Sequence, residues 1–384
     1  MAAGYIHLEV NVSSSPKREG HPNGDVVHTE RYKNATTVIL ADGLGSGVKA
    51  NIYATMCVSR LNELLRQGFS LRKAFRNVIQ TMSDAPAKDL PYAAFSMARV
   101  LNNGLTTILS FDTPPPVIVS GRYATLPKPN VYTIGNSIIS ELSISLKPNE
   151  SFVLMSDGIT QAGIGKGRNQ GWQIEDITEY INYELSHGMS LNEIPALLKK
   201  RARDFWLGKP EDDCTALLAH SRKGTVANIL TGAPESPNRD DSTVRRFFEH
   251  EGFKIVCGGT TAKIVSRVTR EILSIDESFA SPITPPAYTL KNVDLVTEGA
   301  VTLNQLYNII DADPEKLEKK NPVSELASYI RVADRINFFV GGSINPANDD
   351  ISYVQLRILP RRTIVQLLAE KLREKGKLVI VEWM

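Results

Sequence analysis

The stretch VILADGLGSG, residues 38–47, joins an apolar run to an acidic residue and then to three glycines at alternate positions. The branched and apolar residues at 38–41 favour a buried strand. Asp42 and Gly43 follow at the point where the chain leaves that strand. Two interpretations fit this pattern: a glycine-rich phosphate cradle that opens a helix, or a metal-binding carboxylate at the edge of a sheet.

Length and charge limit the classes of protein to consider. A chain of 384 residues favours two domains. Its formal net charge of +2 gives no electrostatic reason to expect nucleic acid or a membrane as partner. No stretch approaches the ~20 apolar residues of a membrane span, and the first residues lack the apolar core of a signal peptide. The cysteines form no CxxC pair or zinc-ligand cluster, so we expect a cytoplasmic protein with reduced cysteines.

The first part of the chain groups strands with strands and helices in pairs. This grouping predicts an α+β fold in which helices cover an antiparallel double sheet. The Asn-Gly pair within residues 102–104 predicts a tight hairpin between two of the strands. The predicted strands are 5–12, 25–32, 35–41, 92–101, 105–111, 115–120, 151–158 and 214–222, and the predicted helices are 48–68, 70–82, 172–185 and 190–206.

Beyond residue 223 the pattern changes to an alternation of apolar strand, small-residue turn and helix. This alternation is typical of βα units on a mainly parallel sheet. The boundary is therefore placed near Lys223–Gly224, between a first domain of residues 1–222 and a smaller α/β domain of residues 223–384.

Three separate apolar strands of the first domain carry an aspartate at one end, namely Asp42, Asp157 and the pair Asp212–Asp213. Ionised carboxylates beside core strands need a compensating partner, because their desolvation costs several kcal/mol. Carboxylates without Cys or His at ligand spacing favour Mg²⁺ or Mn²⁺ over zinc. Two such ions activate a water for attack on phosphorus. The constellation therefore predicts hydrolysis of phosphate esters.

The alternatives are a simple turn or a nucleotide cradle. DGLGSG lacks the glycine spacing of a dinucleotide motif and the Lys-Ser/Thr of a P-loop. Taken alone, Asp42 fits a helix cap and SDG at 156–158 fits an ordinary turn. The ordered occurrence of these acids after buried strands favours the metal interpretation.

Three segments resemble the acidic motifs of the metal-dependent protein phosphatases, the PPM or protein phosphatase 2C-like superfamily, in their bacterial SpoIIE branch. They are ADGLGSGVKA (41–50), VLMSDGITQA (153–162) and EDDCTALLAHSR (211–222). NGD at 23–25 stands where that branch has Ser-Gly-Asp. The resemblance covers residues 1–222. It implies an α-β-β-α sandwich of two mainly antiparallel sheets and a phosphoserine/phosphothreonine phosphatase activity.

Carried over by residue, the resemblance implies two Mn²⁺ or Mg²⁺ ions. Asp42 would bridge them, with the Gly43 carbonyl on one ion. Asp157 and Asp212 would bind the second ion, and Asp25 would hold the first directly or through a water. These four aspartates are the predicted catalytic residues.

Other polar residues near these motifs are not predicted to be metal ligands or catalytic residues. Asp213 stands where many relatives carry Asn, which implies a neighbour that orients a ligand. No motif identifies a general acid or a phosphate-binding residue. Lys17, Arg18, His21 and His28 are interpreted as charges of a solvated loop.

The resemblance also implies a substrate, a small phosphoprotein of a bacterial partner-switching pathway such as an anti-sigma-factor antagonist. Two alternatives remain open at this point. One is a hydrolase of a small phosphate ester, and the other is a catalytically weak sensor or scaffold whose acids bind metal without turnover.

The second domain resembles no family that its motifs identify. Four small-residue turns follow its predicted strands, at 231–236, 257–265, 297–302 and 341–350. Turns at the carboxyl ends of parallel strands gather at one edge of a sheet, so a small-molecule or phosphate ligand is a hypothesis here, beside the alternative of structural turns. The domain is expected to sense a ligand, to dock the substrate protein or to form a homodimer.

Overall fold

The computed structural model describes residues 4–83, 92–276, 287–317, 321–343 and 358–384. The chain divides into two compact units, Met1–Lys223 and Gly224–Met384. Residues 344–350 of the fourth predicted turn lie outside the described residues. Within the described ranges, no helix combines the length and the apolar character needed to cross a membrane.

The N-terminal unit alternates runs of strands with pairs of helices. Its strands are β1 (Ile6–Ser15), β2 (Asp25–Arg31), β3 (Ala35–Gly43), β4 (Ala93–Leu101), β5 (Leu105–Phe111), β6 (Val117–Ser120), β7 (Tyr123–Thr125), β8 (Asn130–Ile134), β9 (Ser137–Ser145), β10 (Glu150–Met155) and β11 (Cys214–Lys223). Its α-helices are α1 (Val48–Arg66), α2 (Leu71–Ser83), α3 (Asp157–Thr160), α4 (Ile174–Ser186) and α5 (Ile194–Phe205).

These strands form two antiparallel sheets. One sheet has the order β1-β11-β10-β6-β7, and the other has the order β2-β3-β4-β5-β9-β8. Apolar side chains of both sheets, among them Leu8, Leu40, Phe152 and Leu217, share one buried cluster. A second cluster joins α1 and α2 to the β2-containing sheet, and a third joins α4 and α5 to the other sheet. The predicted α-β-β-α sandwich is confirmed.

Local signals in the sequence explain several boundaries. Gly104 has a φ of 87° in the turn between β4 and β5, which are antiparallel neighbours as the Asn-Gly signal predicts. The Ser70 hydroxyl accepts the Lys73 backbone N–H at 3.4 Å and so caps α2. The strand predicted over 151–158 is too long. It ends at Met155, and Asp157 instead begins the short helix α3.

The C-terminal unit has a sheet with helices on both faces. Its strands are β12 (Val226–Thr231), β13 (Phe253–Cys257), β14 (Ser274–Asp276), β15 (Ala287–Thr289), β16 (Leu295–Thr297), β17 (Arg335–Val340) and β18 (Leu378–Trp383). Its α-helices are α6 (Asp240–Glu249), α7 (Gly259–Thr269), α8 (Ala300–Ile309), α9 (Pro322–Val332) and α10 (Arg361–Glu374).

The strand order in this sheet is β14-β15-β16-β13-β12-β17-β18. The pairs from β16 to β18 are parallel, while β14–β15 and β15–β16 are antiparallel, so the predicted mainly parallel sheet is confirmed. Helices α6 and α7 pack on one face, and α8, α9 and α10 pack on the other. From β12 the chain adds strands first on one side and then, at β17, on the other. The turns after β12 and β17 therefore flank the point where the winding reverses.

Candidate metal centre

Strand register brings the first two predicted acids together. Asp25 begins β2 and lies directly opposite Asp42 of β3 in the antiparallel pair. The turn before Asp25 is fixed by Asn23, whose Oδ1 accepts the Asp25 backbone N–H at 2.9 Å. Asn51 of α1 donates from Nδ2 to the Asn23 carbonyl at 2.7 Å. The NGD turn is thus held against the helix that follows Asp42.

The other two acids lie at neighbouring ends of β10 and β11 in the second sheet. These strands are antiparallel, so the end of β10 lies beside the start of β11. The Ser156 backbone N–H continues this pairing with a 2.9 Å hydrogen bond to the Thr215 carbonyl. Asp157 follows at the start of α3, and Asp212 stands two residues before β11.

Ser156 links the two pairs of acids. Its hydroxyl donates a 2.7 Å hydrogen bond to Asp25 Oδ2 and accepts the Thr215 backbone N–H at 2.9 Å. One serine side chain therefore connects the edge of β10–β11 to the first residue of β2. Ser156 is not among the predicted site residues, because the SDG segment indicates only its aspartate as a ligand. The position of this serine, directly before Asp157, is the sequence feature that could have identified it.

The pKa values of these carboxyl groups reflect their crowding. Burial is the largest cause that raises the pKa of Asp25 to about 7, and the charges of Asp213 and Asp212 add to it. Burial and then the charges of Asp25 and Asp157 raise the pKa of Asp42 to about 10. Burial and the charge of Asp157 raise the pKa of Asp212 to about 6. All four predicted acids thus lie within one another's electrostatic influence.

The donor set fits a hard divalent cation. Asp25 Oδ1 and Asp157 Oδ1 are both buried and accept no hydrogen bond from the described residues. Buried carboxylate oxygens without partners are costly unless a cation or a proton compensates them. Oxygen ligands of this kind suit Mg²⁺ or Mn²⁺. The chemistry of the donors fits such a cation, but their arrangement is not that of a formed metal site. Among the residues that the structure describes, no three His, Cys, Asp or Glu side chains form a group arranged to hold a metal ion.

Two glycines permit the close packing around these acids. A side chain at Gly43 would overlap the Ala50 carbonyl of α1, and one at Gly158 would overlap the Asp213 carbonyl. Neither Gly43 nor Gly158 has a positive φ. Lack of space for a side chain, rather than backbone conformation, therefore requires glycine at both positions. These contacts hold Asp42 against α1 and Asp157 against the segment that carries Asp212.

Asp213 is almost fully buried, with 3% of its surface exposed. Its Oδ1 accepts the Lys17 backbone N–H at 2.7 Å, so it holds the loop that precedes the NGD turn. Its charge also raises the pKa of Asp25, which makes it a neighbour of the predicted ligands. The Lys17 charge lowers the pKa of Asp212, which places this lysine nearer the acids than its interpretation as a solvated charge suggested.

Comparisons with known proteins bear on the N-terminal unit. A family model described as stage II sporulation protein E (SpoIIE) matches residues 33–222. The PP2C phosphatase domain and part of the regulatory domain of SpoIIE from Bacillus subtilis align at 18% identity over 58% of this chain and 64% of that chain, with a TM-score of 0.49.

Two further solved structures align with the chain. The RsbU and RsbW domains of a Mycobacterium tuberculosis protein match at 14% identity over 64% of this chain and 70% of theirs, with a TM-score of 0.48. The catalytic domain of the serine/threonine protein phosphatase PstP, solved with two manganese ions, matches at 16% identity over 56% of this chain and 99% of its own, with a TM-score of 0.40. A comparison with curated proteins gave no match.

The sandwich fold and the family match define the class of the metal-dependent protein serine/threonine phosphatases, which are hydrolases. Within that class, the N-terminal unit of this chain belongs to the SpoIIE family. The expected resemblance is confirmed, and the match to the family ends at residue 222, before the C-terminal unit begins.

Proposed function

We propose that the N-terminal unit is a phosphoserine/phosphothreonine protein phosphatase with its centre at Asp25, Asp42, Asp157 and Asp212. The observation that carries this proposal is the gathering of four carboxyl groups from two sheets, two of which have buried oxygens without partners. Such a cluster is unfavourable by itself, because like charges share a buried site. It becomes favourable when cations neutralise it.

The proposed ligands follow from where each acid lies. Asp42, whose pKa is raised by the charges of both Asp25 and Asp157, would contribute to holding both ions, together with the Gly43 carbonyl. Asp25 would help to hold one ion, and Asp157 and Asp212 would help to hold the other. When bound, two Mn²⁺ or Mg²⁺ ions supply the charge that activates a water and offsets negative charge on the phosphate.

The remaining residues position these ligands. Ser156 fixes one oxygen of Asp25 and leaves Oδ1 available. Gln161 donates from Nε2 to Asp157 Oδ2 at 2.6 Å, which orients the second carboxylate in the same way. Hydrogen bonds of this kind to metal ligands affect metal affinity by about 10–100-fold.

An exposed apolar stripe beside the centre favours a protein substrate over a small ester. Val48, Ile52 and Met56 recur at every fourth position of α1, and Leu44 precedes them at the same spacing. Their exposed fractions are 60%, 48%, 51% and 64% in that order. Apolar side chains grouped in this way on a surface mark a contact with a macromolecule. We place a phosphorylated partner protein here, of the anti-sigma-factor antagonist type that the family resemblance implies.

Hydrolysis of p-nitrophenyl phosphate and of a phosphoserine peptide tests the activity. We expect turnover with Mn²⁺, none with EDTA, and a loss of at least about 100-fold in Asp42→Ala and Asp157→Ala. Asp176→Ala, on the exposed side of α4, serves as the matched control and keeps its activity. Full activity in both site variants or in EDTA would contradict the mechanism. Metal binding without turnover of any substrate would favour a sensor or scaffold.

The choice between protein and small ester has its own test. Ile52→Glu places a charge in the exposed stripe without touching the acids. We expect it to lower turnover of a phosphorylated protein by about tenfold while p-nitrophenyl phosphate hydrolysis stays unchanged. Ser59→Glu, at an exposed position further along the same helix, adds the same charge and serves as the control. Equal loss on both substrates would contradict a docking role for the stripe.

A further inference from the structure

The C-terminal unit contains a cavity of about 1040 Å³ at the carboxyl edge of its parallel strands. Residues from all four small-residue turns line it, including Gly232 after β12, Gly258 after β13, Gly299 after β16 and Ser343 after β17. Open α/β sheets bind their ligands at this edge, where the direction of winding reverses. The cavity is independent of the candidate metal centre, which lies in the other unit.

Two helices begin in the wall of this cavity without a side-chain cap. The N-cap residues are Gly258 for α7 and Gly299 for α8, and neither helix start donates a hydrogen bond to a capping side chain. The two glycines are in close approach, since a Cβ at Gly299 would lie 3.6 Å from Gly258 Cα. The first N–H groups of a helix lack partners within it and carry partial positive charge. Two such helix ends beside each other favour an anion.

An arginine in the same wall lacks an acidic partner. Arg361 lines the cavity, and its Nη1 makes only long hydrogen bonds, 3.4 Å to the Gly341 carbonyl and 3.3 Å to the Ser343 carbonyl. Its Nε is buried and unbonded, and no carboxylate of the described residues forms an ion pair with it. A partly buried guanidinium without a counter-charge is costly, and a bound anion removes that cost.

Part of the cavity lining is apolar and aromatic. Ile272 lies there with 84% of its surface exposed, beside Leu273 and Tyr288. The Tyr288 hydroxyl donates a 3.1 Å hydrogen bond to Glu298 Oε1, which fixes the ring. A fixed aromatic ring and an exposed aliphatic side chain suit a planar apolar group, and the carboxylate of Glu298 suits hydroxyl donors.

We propose that this cavity binds a nucleotide, with its phosphate at the starts of α7 and α8 beside Arg361 and its base against Ile272 and Tyr288. The combination excludes a purely apolar ligand, because two helix starts and an arginine would remain unpaired. It also favours an organic phosphate over inorganic phosphate. With inorganic phosphate bound, the apolar part of the lining would stay exposed to water.

Calorimetric titration of the full chain with ATP, ADP, AMP and inorganic phosphate tests this assignment. EDTA is present throughout, so that the candidate metal centre contributes no phosphate binding. We expect at least one nucleotide to bind with a Kd well below about 1 mM and inorganic phosphate to bind more weakly. Absence of binding by every nucleotide at that concentration, or equal affinity for inorganic phosphate, would overturn the proposal.

Substitutions locate the bound nucleotide. Thr260→Asp, in the exposed first turn of α7, adds a charge that stabilises the helix and repels a phosphate. We expect it to weaken binding by at least about tenfold without lowering Tm, whereas the neutral Thr260→Asn weakens binding much less. Arg361→Gln is expected to weaken binding similarly, with Arg245→Gln on α6 as the control. Unchanged affinity in a folded Thr260→Asp protein would place the ligand elsewhere and overturn the proposal.

Discussion

The Ser156 hydroxyl donates a 2.7 Å hydrogen bond to Asp25 Oδ2, although the two residues are 131 positions apart. Ser156 follows β10 of one sheet, and Asp25 begins β2 of the other. The bond fixes one carboxylate oxygen of Asp25, while Oδ1 stays buried without a partner. Ser156 also accepts the Thr215 backbone N–H, so its own orientation is fixed. The serine therefore acts as a positioning residue for a proposed metal ligand.

Ser156→Ala tests this positioning role. Loss of the hydroxyl frees Asp25 and leaves the Thr215 N–H without its acceptor, so we expect Mn²⁺ affinity to fall by about 10–100-fold and stability by about 1–3 kcal/mol. Titration of activity against Mn²⁺ measures the first effect, and partial recovery at saturating Mn²⁺ distinguishes it from misfolding. Ser145→Ala, at an exposed position of β9, is the control. A Mn²⁺ dependence equal to that of the parent would contradict the role.

Asp42→Asn is expected to stabilise the metal-free protein. Burial and the neighbouring carboxylates raise the pKa of Asp42 to about 10, so folding near pH 7.5 requires this group to take up a proton. Asparagine removes that requirement, and we expect the free energy of unfolding in EDTA to rise by about 1–3 kcal/mol. Urea titration measures it. Asp176→Asn should instead destabilise slightly, since Asp176 lies in the first turn of α4. A lower free energy of unfolding for Asp42→Asn than for the parent in EDTA would contradict the inference that burial and neighbouring charges destabilise ionised Asp42.

The crowded carboxyl groups also predict how stability changes with pH. The pKa of Asp25 is raised from 3.8 to about 7, and that of Asp212 from 3.8 to about 6. The folded state therefore retains protons that the unfolded state releases, so this contribution to stability is complete below pH 3.8 and is lost as pH rises through about 6–7.

We therefore expect the Tm of the protein in EDTA to fall between about pH 5 and pH 8, and Mn²⁺ to reverse the fall because it replaces the protons. Thermal unfolding with and without Mn²⁺ measures both effects. In the double variant Asp25→Asn, Asp212→Asn the slope in EDTA should flatten. An equal slope in the parent and in this double variant would refute the linkage.

The parts of the fold that the sequence predicted are those with local signals. Apolar runs, the Asn-Gly turn and the cap at Ser70 identified most strands and helices of the N-terminal unit, because each signal acts within a few residues. Strands β7 to β9 were not predicted. Strands β7 and β8 are short edge strands of the two sheets, and β9 is defined by its pairing with β5, a contact distant in sequence.

The C-terminal unit shows the same limit. Helix α9 was missed although Asn321 caps it and Pro322 begins it, and both are recognised start signals. Helix α7 ends at Thr269, because Arg270 adopts a left-handed conformation with a φ of 59°. Apolar periodicity continued past that residue and gave no sign of the reversal.

The residues of the candidate site differ in the same way: those with a local sequence signal were predictable, and those that depend on packing between sheets were not. Strand ends located Asp42, Asp157 and Asp212, since an acid after a buried run is visible in the sequence. The bond from Ser156 to Asp25 was not predictable, because it depends on how two sheets pack. The roles of these acids as metal ligands stay predictions that the substitutions above test.

Gly43 offers a test of how closely the metal centre depends on α1. A methyl group at Gly43 would overlap the Ala50 carbonyl, which belongs to the first turn of the helix. Because that contact involves backbone, the helix start must move, and we expect Gly43→Ala to lower stability by about 1–3 kcal/mol. It should also reduce Mn²⁺-dependent hydrolysis by more than about tenfold, since Asp42 and the Gly43 carbonyl shift with it.

Ala50→Gly provides the matched comparison for this prediction. It destabilises the same helix turn but leaves the backbone contact between Gly43 and Ala50 in place, at a cost of about 1 kcal/mol in helix propensity. We expect it to lower Tm while keeping Mn²⁺-dependent activity within about twofold. If both variants lose activity in proportion to stability, the loss comes from general destabilisation. If only Gly43→Ala loses activity, the close approach of β3 to α1 is what sets the position of Asp42.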